Sequence, residues 1–424
     1  MQTRLVFFLM LISVSYFNSF AANAQELKQD SITITLPEAE KRFVEQSLSV
    51  IAAHYDVTVA NEGVLDAKLW YNPQLTYSQG LYDPQTKKYF DNSATGQFDV
   101  QLSQLFSIAG RHTNTVKLAK LNAQKSELQF KDVVRSLKLE LYKDYETIYA
   151  DEQKVKLYEY ETDHLNKLLE GEKQQLQLGA VSQNEVIRLT AEIQQLTNSS
   201  VQNYNELLDA QHDLKTLLNY NEKVFLVAAP VADVAGQLPS MDAVITTAEQ
   251  NRPDYLLSKT EVEYEKQNIR LQRSLGVPDM NLTVEHDQAS SYVRDYNGIG
   301  ISFPLPVFNR NQHQVRIAKA QYNKAIAEDS IQTYSLHNEV GQAYASYINI
   351  NKRFGSVSGD FSNQLDQLNQ NALSNYSKRF INLIDFLDQV RTYTQSAINL
   401  IDLKHQFHDA VNSLNYVTGT VIIK

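Results

Sequence analysis

The stretch IDFLDQV, residues 384–390, offers the best-defined chance of joint chemistry in this chain. On a helix, Asp385 and Asp388 are i,i+3 neighbours, so both carboxylates leave one face. Such a pair could line an opening with negative charge or attract cations; it could equally be a solvated helix face, a common setting for acids. Histidines offer less. His405 and His408 share a helical face, and His112 and His313 sit in two look-alike segments, RHTNTVKLAK (111–120) and RNQHQVRIAK (310–319). With no cysteine and no clear third ligand, these read as packing or surface histidines, and no metal residue is assigned. There is no G-x-x-x-x-G-K-[ST] loop, G-x-S-x-G elbow, H-E-x-x-H or dinucleotide fingerprint, so no catalytic or cofactor-binding residue is assigned either. The expectation is a protein that is not an enzyme and needs no cofactor.

What must hold the two aspartates in place is written around them. The look-alike segments share Arg111/Arg310, Val116/Val315, Ala119/Ala318 and Lys120/Lys319 at an offset of 199 residues, kept further on by Glu140/Glu339 and Tyr145/Tyr344. That offset is too long for a solenoid unit and indicates a duplicated half-molecule. From Arg111 to Leu178 there is no proline and one glycine, Gly171. Val134, Leu141, Ile148, Val155, Thr162, Leu169 and Leu176 recur every seventh residue, though Asp144 and Asp151 interrupt the companion positions. This is a coiled-coil seam, and the run would span about 100 Å as a helix. Gly179 can end the rod, and Ser182 with Glu185 signals the start of another helix. Its return face reads Val186, Leu189, Ile193, Leu196, Ser200, Asn203, Leu207, Ala210, Leu214 and Leu217. The second half repeats the hairpin, turning near 375–390.

Ahead of each rod lies a pair of alternating segments. Leu75, Tyr77 and Leu81 precede a polar loop, then Phe98, Val100, Leu102 and Phe106; Met280, Leu282 and Val284 precede DQASSYVRDYNG, then Ile299, Ile301, Phe303 and Leu305. Apolar-polar alternation over about ten residues with polar loops between is the mark of transmembrane β-hairpins. Four strands cannot close a barrel, so several copies are needed. Pro304 and Pro306 suit the hand-over from strand to helix. No stretch after the N-terminus is long and apolar enough for a membrane helix. Residues 1–24 read as a signal peptide: Arg4, an apolar run, then Ala22-Asn23-Ala24. The net charge of −10 argues against nucleic acid as a partner.

This order of features resembles the TolC family of outer-membrane efflux channels. The duplication, LPEAEKRFVEQSLSV (36–50) and NRPDY (251–255) carry the likeness, and SIAGRHTNTVKLAKLNAQ is similar to the junction of its heavy-metal, CzcC/CusC-like branch. The resemblance implies a mainly α fold with a transmembrane β part. Duplicated long αα-hairpins would form a coiled-coil tunnel, and four strands per chain would join a homotrimeric twelve-stranded barrel. The expected division is a first repeat over 25–220 (hairpins near 73–106 and 111–220), an equatorial segment over 221–240 and a second repeat over 241–424 (hairpins near 279–306 and 310–418). It further implies an exit duct in the outer membrane, with a periplasmic adaptor, an inner-membrane pump of the resistance-nodulation-division type and outer-membrane lipid as partners. Asp385 and Asp388 would then stand at the periplasmic gate. The adaptor would dock on the turns, at Leu178, Gly179, Ala180, Val181 and Ser182 and at Ser377, Lys378, Arg379, Phe380, Ile381 and Asn382. In the second turn Lys378 and Arg379 replace a frequent glycine, and Ile381 a frequent basic residue. Two other readings are a secreted coiled-coil adhesin or scaffold and the adaptor itself; an adaptor should carry one helical hairpin rather than two.

Overall fold

The computed structural model describes residues 30–221, 223–232, 237–289, 293–357 and 360–423. The expected signal peptide and part of the expected equatorial segment lie outside them. Thr35 starts the helical part with a reciprocal cap: its side chain accepts from the Glu38 N–H while its own N–H donates to the Glu38 carboxylate at 2.9 Å. Two helices follow, α1 (Leu36–Gln46) and α2 (Leu48–Ala67). They lead into a sheet, through β2 (Gln74–Gln79), a small excursion β3–β4 (Tyr82–Asp83, Lys88–Tyr89) and β5 (Phe98–Phe106). From there α3 (Arg111–Gln177) runs unbroken for 67 residues and α4 (Gln183–Leu217) returns.

The second half repeats the plan with α5 (Met241–Asn251), α6 (Pro253–Leu275), β7 (Met280–Ala289), β8 (Arg294–Ser302), α7 (Gln312–Ser356), α8 (Phe361–Ser377) and α9 (Leu383–Thr418). Three details depart from expectation. The polar stretch 287–298 is mostly strand: β7 and β8 stay paired from Asn281–Ser302 out to Ala289–Arg294. Polar residues can keep a ladder going without an apolar face to announce it. The second outgoing rod is interrupted between Ser356 and Phe361, just after Gly355, a poor helix former. Arg310 lies outside its helix, which starts after a left-handed Asn311, whereas Arg111 is the first residue of its own.

Two belt cores and one core near the turns hold the helices. The heptad positions Leu141 and Ile148 are fully buried with Tyr145, against Phe43, Leu207, Leu214 and Leu226. Here β1 (Asp30–Ile34) pairs in parallel with β6 (Val224–Ala228), and the Tyr145 hydroxyl lies 2.9 and 2.8 Å from the Ile34 and Ala229 carbonyls. Its repeat counterpart Tyr344 donates to Pro239 O at 3.1 Å. The second belt core joins Val244, Leu336, Val340, Phe407 and Leu414.

The four main strands form one antiparallel sheet in the order β2-β5-β7-β8. Register sorts its side chains by face, since directly opposed residues point the same way. Leu75, Leu102, Val284 and Ile299 make one row across all four strands, flanked by Leu282 and Ile301. Thr76, Gln101, Glu285 and Gly298 form a row on the other face, followed by Ser78, Asp99, Asp287 and Tyr296. One face is apolar and the other polar. The apolar face lies open: Leu75 is 69% and Ile299 79% exposed. Within the described residues, β2 and β8 each have one unpaired edge.

Candidate functional site

The two helical turns meet at the end of the rods farthest along the chain from the sheet. Each is built by the same local chemistry. At the first, Gly179 takes a left-handed φ of 73°, its N–H reaches Leu176 O at 3.0 Å, and the Ala180 N–H reaches Gln175 O at 2.9 Å. At the second, Arg379 holds φ 60°, its N–H reaches Tyr376 O at 2.9 Å and Phe380 N–H reaches Asn375 O at 2.9 Å. This double bond is the helix stop usually made with glycine. Leu178 (84%) and Phe380 (75%) protrude. Ala180, Ser182, Ser377, Lys378 and Asn382 are exposed, while Val181 and Ile381 are half-buried.

Arginine replaces glycine in the second turn and uses its side chain. The Arg379 guanidinium donates to Gln175 Oε1 at 2.8 Å and stands 3.5 Å from the buried Glu172 carboxylate. Glu172 also accepts from the Tyr376 hydroxyl at 3.0 Å, and burial together with that bond raises the phenol's pKa. The Tyr376 ring stacks on Phe386, centroids 4.8 Å apart, within a core of Leu165, Leu189, Leu383 and Val390. The second turn is thereby fastened to the end of α3.

Both gate candidates are exposed on α9, as a shared face requires. They differ in what they touch. Asp385 belongs to the helix cap: Asn382 Oδ1 accepts its N–H at 3.0 Å, and Asn382 Nδ2 donates to its carboxylate at 2.8 Å. Glu185 does the same for Ser182 in the first turn. Asp388 has no such task. One turn on, Arg391 donates from Nε to Glu192 at 2.7 Å, on a carboxylate whose side chain is 1% exposed. This clamp ties α9 to α4, and the bond to Glu192 raises the Arg391 pKa, with a smaller contribution from Asp388. Motif reading missed the clamp. The signal was the repeat itself, because Glu192 and Arg391 stand 199 residues apart.

The histidines separate. His408 Nδ1 lies 2.8 Å from Glu146, buried between α9 and α3; His405 lies 3.5 Å from Asp409; His112 stacks on Trp70 at 4.3 Å; His313 is exposed. Among the described residues no group of three or more His, Asp or Glu could hold a metal ion. A cleft of about 510 Å³ opens beside α3 and α9 at the belt, lined by Val134, Tyr142, Val411 and the Glu146–His408 pair, distant from the turns. A further polar concentration is on the sheet, where Asp99, Glu285 and Asp287 share the hydrophilic face. No described helix is long and apolar enough to cross a membrane.

Comparison with known proteins agrees with this geometry. A family model described as outer membrane efflux protein matches residues 41–220 and 244–420, one segment for each repeat. The cobalt-zinc-cadmium resistance protein CzcC of Cupriavidus metallidurans is 19% identical over 387 residues, which is 91% of this chain and 90% of that protein. Among solved structures, the CmeC outer membrane channel of Campylobacter jejuni superposes with a TM-score of 0.73 at 14% identity, over 90% of this chain and 85% of that one. The outer-membrane channel OprN gives 0.74 at 15%, over 90% and 89%.

Proposed function

The chain belongs to the outer membrane efflux protein family, and on that premise we propose that three copies close one barrel and one helical tunnel. Membership makes it an outer-membrane exit duct with a periplasmic helical extension, a conduit rather than a catalyst. It removes the adhesin and adaptor readings. Family members work with periplasmic adaptors and inner-membrane pumps. For this chain the pump is of the resistance-nodulation-division type.

The observation that carries the reading is the four-stranded sheet with an apolar face, a polar face and two open edges. Two copies would give eight strands, a barrel filled by its own side chains; three give twelve and leave a lumen. The apolar face then meets lipid and the polar face lines the passage. Asp99, Glu285 and Asp287 put carboxylates along that passage, and Asp388 adds a ring at the periplasmic end. Asp385 contributes charge there while capping its helix. Fixed negative charge lowers the energy of cations in a pore, so the duct favours cationic cargo. The resistance named for the CzcC relative concerns cobalt, zinc and cadmium. The protruding turns, Leu178–Ser182 and Ser377–Asn382, receive the adaptor. The domain plan follows: two repeats flanking an equatorial belt over 221–240.

Reversal potentials across a planar bilayer in a salt gradient test the reading. Wild type is expected to prefer cations, and Asp388→Asn to reduce that preference while the trimer persists. A preference unchanged in Asp388→Asn places this residue on an outer face and removes it from the gate. Cysteines at Leu178 and Phe380, in a chain with no cysteine of its own, are expected to crosslink to the adaptor's hairpin tip. Crosslinks confined to the belt would overturn the docking assignment.

A further inference from the structure

Where strands hand over to helices, the sheet has an inner junction and two outer ones. The inner junction is complete in one chain. Because β5 and β7 are neighbours, the segment leaving β5 meets the segment entering β7, and a polar lock forms. The Arg111 guanidinium pairs with the Asp279 carboxylate and donates to Val277 O at 3.2 Å. The segment leaving β8 and the segment entering β2 are the counterparts of these two, but they sit at opposite edges of the sheet. Among the described residues neither meets its counterpart, although Trp70 rests one ring face on His112 of α3.

We propose that these outer segments are the two halves of an apolar seam between copies, with Leu69, Trp70 and Tyr71 of one copy closing on Leu305, Val307 and Phe308 of the next. The inference rests on the ring reading above, because only ring closure brings the two edges together. Four observations carry it. The six side chains are 55–93% exposed, with Phe308 at the top of that range. They continue directly from the two ladder edges that the single chain leaves unmade. The polar lock cannot be rebuilt at this seam. Arg310, counterpart of Arg111 in the repeated motif, has no side-chain hydrogen bond or ion pair among the described residues, and KLWYNPQ (68–74) has no acid to answer it. Finally, the repeat shows by example that consecutive strands place these two kinds of segment in contact, as Arg111 and Asp279 demonstrate. Apolar contact replaces the ion pair where the mating surfaces belong to different copies.

Trp70 is the single tryptophan of the chain, so the full-length trimer in detergent or lipid reports on the seam without alteration. Closure buries Trp70: its emission shifts to the blue of a surface indole and acrylamide quenches it weakly. Leu305→Ser with Phe308→Ser is expected to move emission to the red and strengthen quenching. In the cysteine-free background, Tyr71→Cys with Phe308→Cys should give covalent dimers and trimers on oxidation, and either cysteine alone should not. Molar mass by light scattering is measured on every sample. Trimeric mass with no crosslink, and Trp70 quenched by brominated phospholipid regardless of the serine changes, would assign these residues to the bilayer and overturn the seam. A wild-type mass other than a trimer would instead overturn the ring reading from which the seam follows.

Discussion

The belt and the sheet use the same chain to opposite ends. At the belt, Leu141, Tyr145, Ile148, Leu214 and Leu226 are fully buried by residues of one chain, and even the Tyr145 hydroxyl finds two carbonyls. In the sheet, Leu102 and Val284, central in their row, remain about half exposed, and two ladder edges have no partner among the described residues. Alternation and heptads both announce burial, yet neither says what will do the burying. The belt is finished by folding. The sheet is finished only by lipid and by other copies.

Substitutions that enforce or erase this difference should act in a graded way. Ile148→Asp places an unpaired carboxylate in the belt core and is expected to cost more than about 3 kcal/mol. The chain should lose cooperative helical melting by circular dichroism in detergent, before any question of insertion. Retained melting would mean that the belt core lies elsewhere. Val284→Arg, on the apolar face, should cost about 2–4 kcal/mol at bilayer mid-depth. Trimer recovered from outer membranes should fall, while the belt stays protease-resistant in detergent; equal loss of both would show that sheet and belt are one folding unit. Tyr145→Phe takes the hydroxyl away from the Ile34 and Ala229 carbonyls, of which Ile34 O keeps the Ala229 N–H at 3.0 Å, and the expected loss is about 1–3 kcal/mol. Tyr344→Phe removes a single bond and should cost less, which paired thermal melts can rank.

The smallest effect depends on pH. Burial first, then the Asp213 and Glu140 carboxylates, push Asp144 up to about 7 from an ordinary 3.8. The folded chain therefore holds a proton that the unfolded chain has already released between these two values. Stability falls as pH rises through that window. Asp144→Asn should flatten the slope and raise stability at pH 8 by about 1 kcal/mol, a figure reduced for solvent screening of a half-buried site. An unchanged pH profile would mean that the carboxylate ionises freely in the folded chain.

The rods were legible because their burial is local and periodic: the seventh-residue series from Leu141 to Leu169 lies on the buried or half-buried side of α3. The hairpin strands were legible for the same reason at period two. Pairing of β1 with β6 was not, since five residues apiece find each other across most of a repeat with no turn between them. The acid at Asp151 looked like a flaw in the seam. It is answered by Lys154, which also reaches Asp402 on α9 at 2.7 Å, a partner no local pattern could supply. At the candidate site, spacing placed Asp385 and Asp388 on one face. Only the cap geometry told them apart. The first turn was announced by Gly179 and Ser182, whereas the second hid its glycine-like bend behind Arg379.

The open ladder edges also govern the molecule's history before it works. A newly exported copy carries two strands ready to accept any extended peptide, beside an apolar surface with no lipid yet to cover it. These are the features that seed aggregation. The sheet's form is therefore a liability in transit, and its hazard lasts for as long as a single copy waits for others. Expression faster than membrane delivery should cause loss through the strands first, with helices still folded in the deposit.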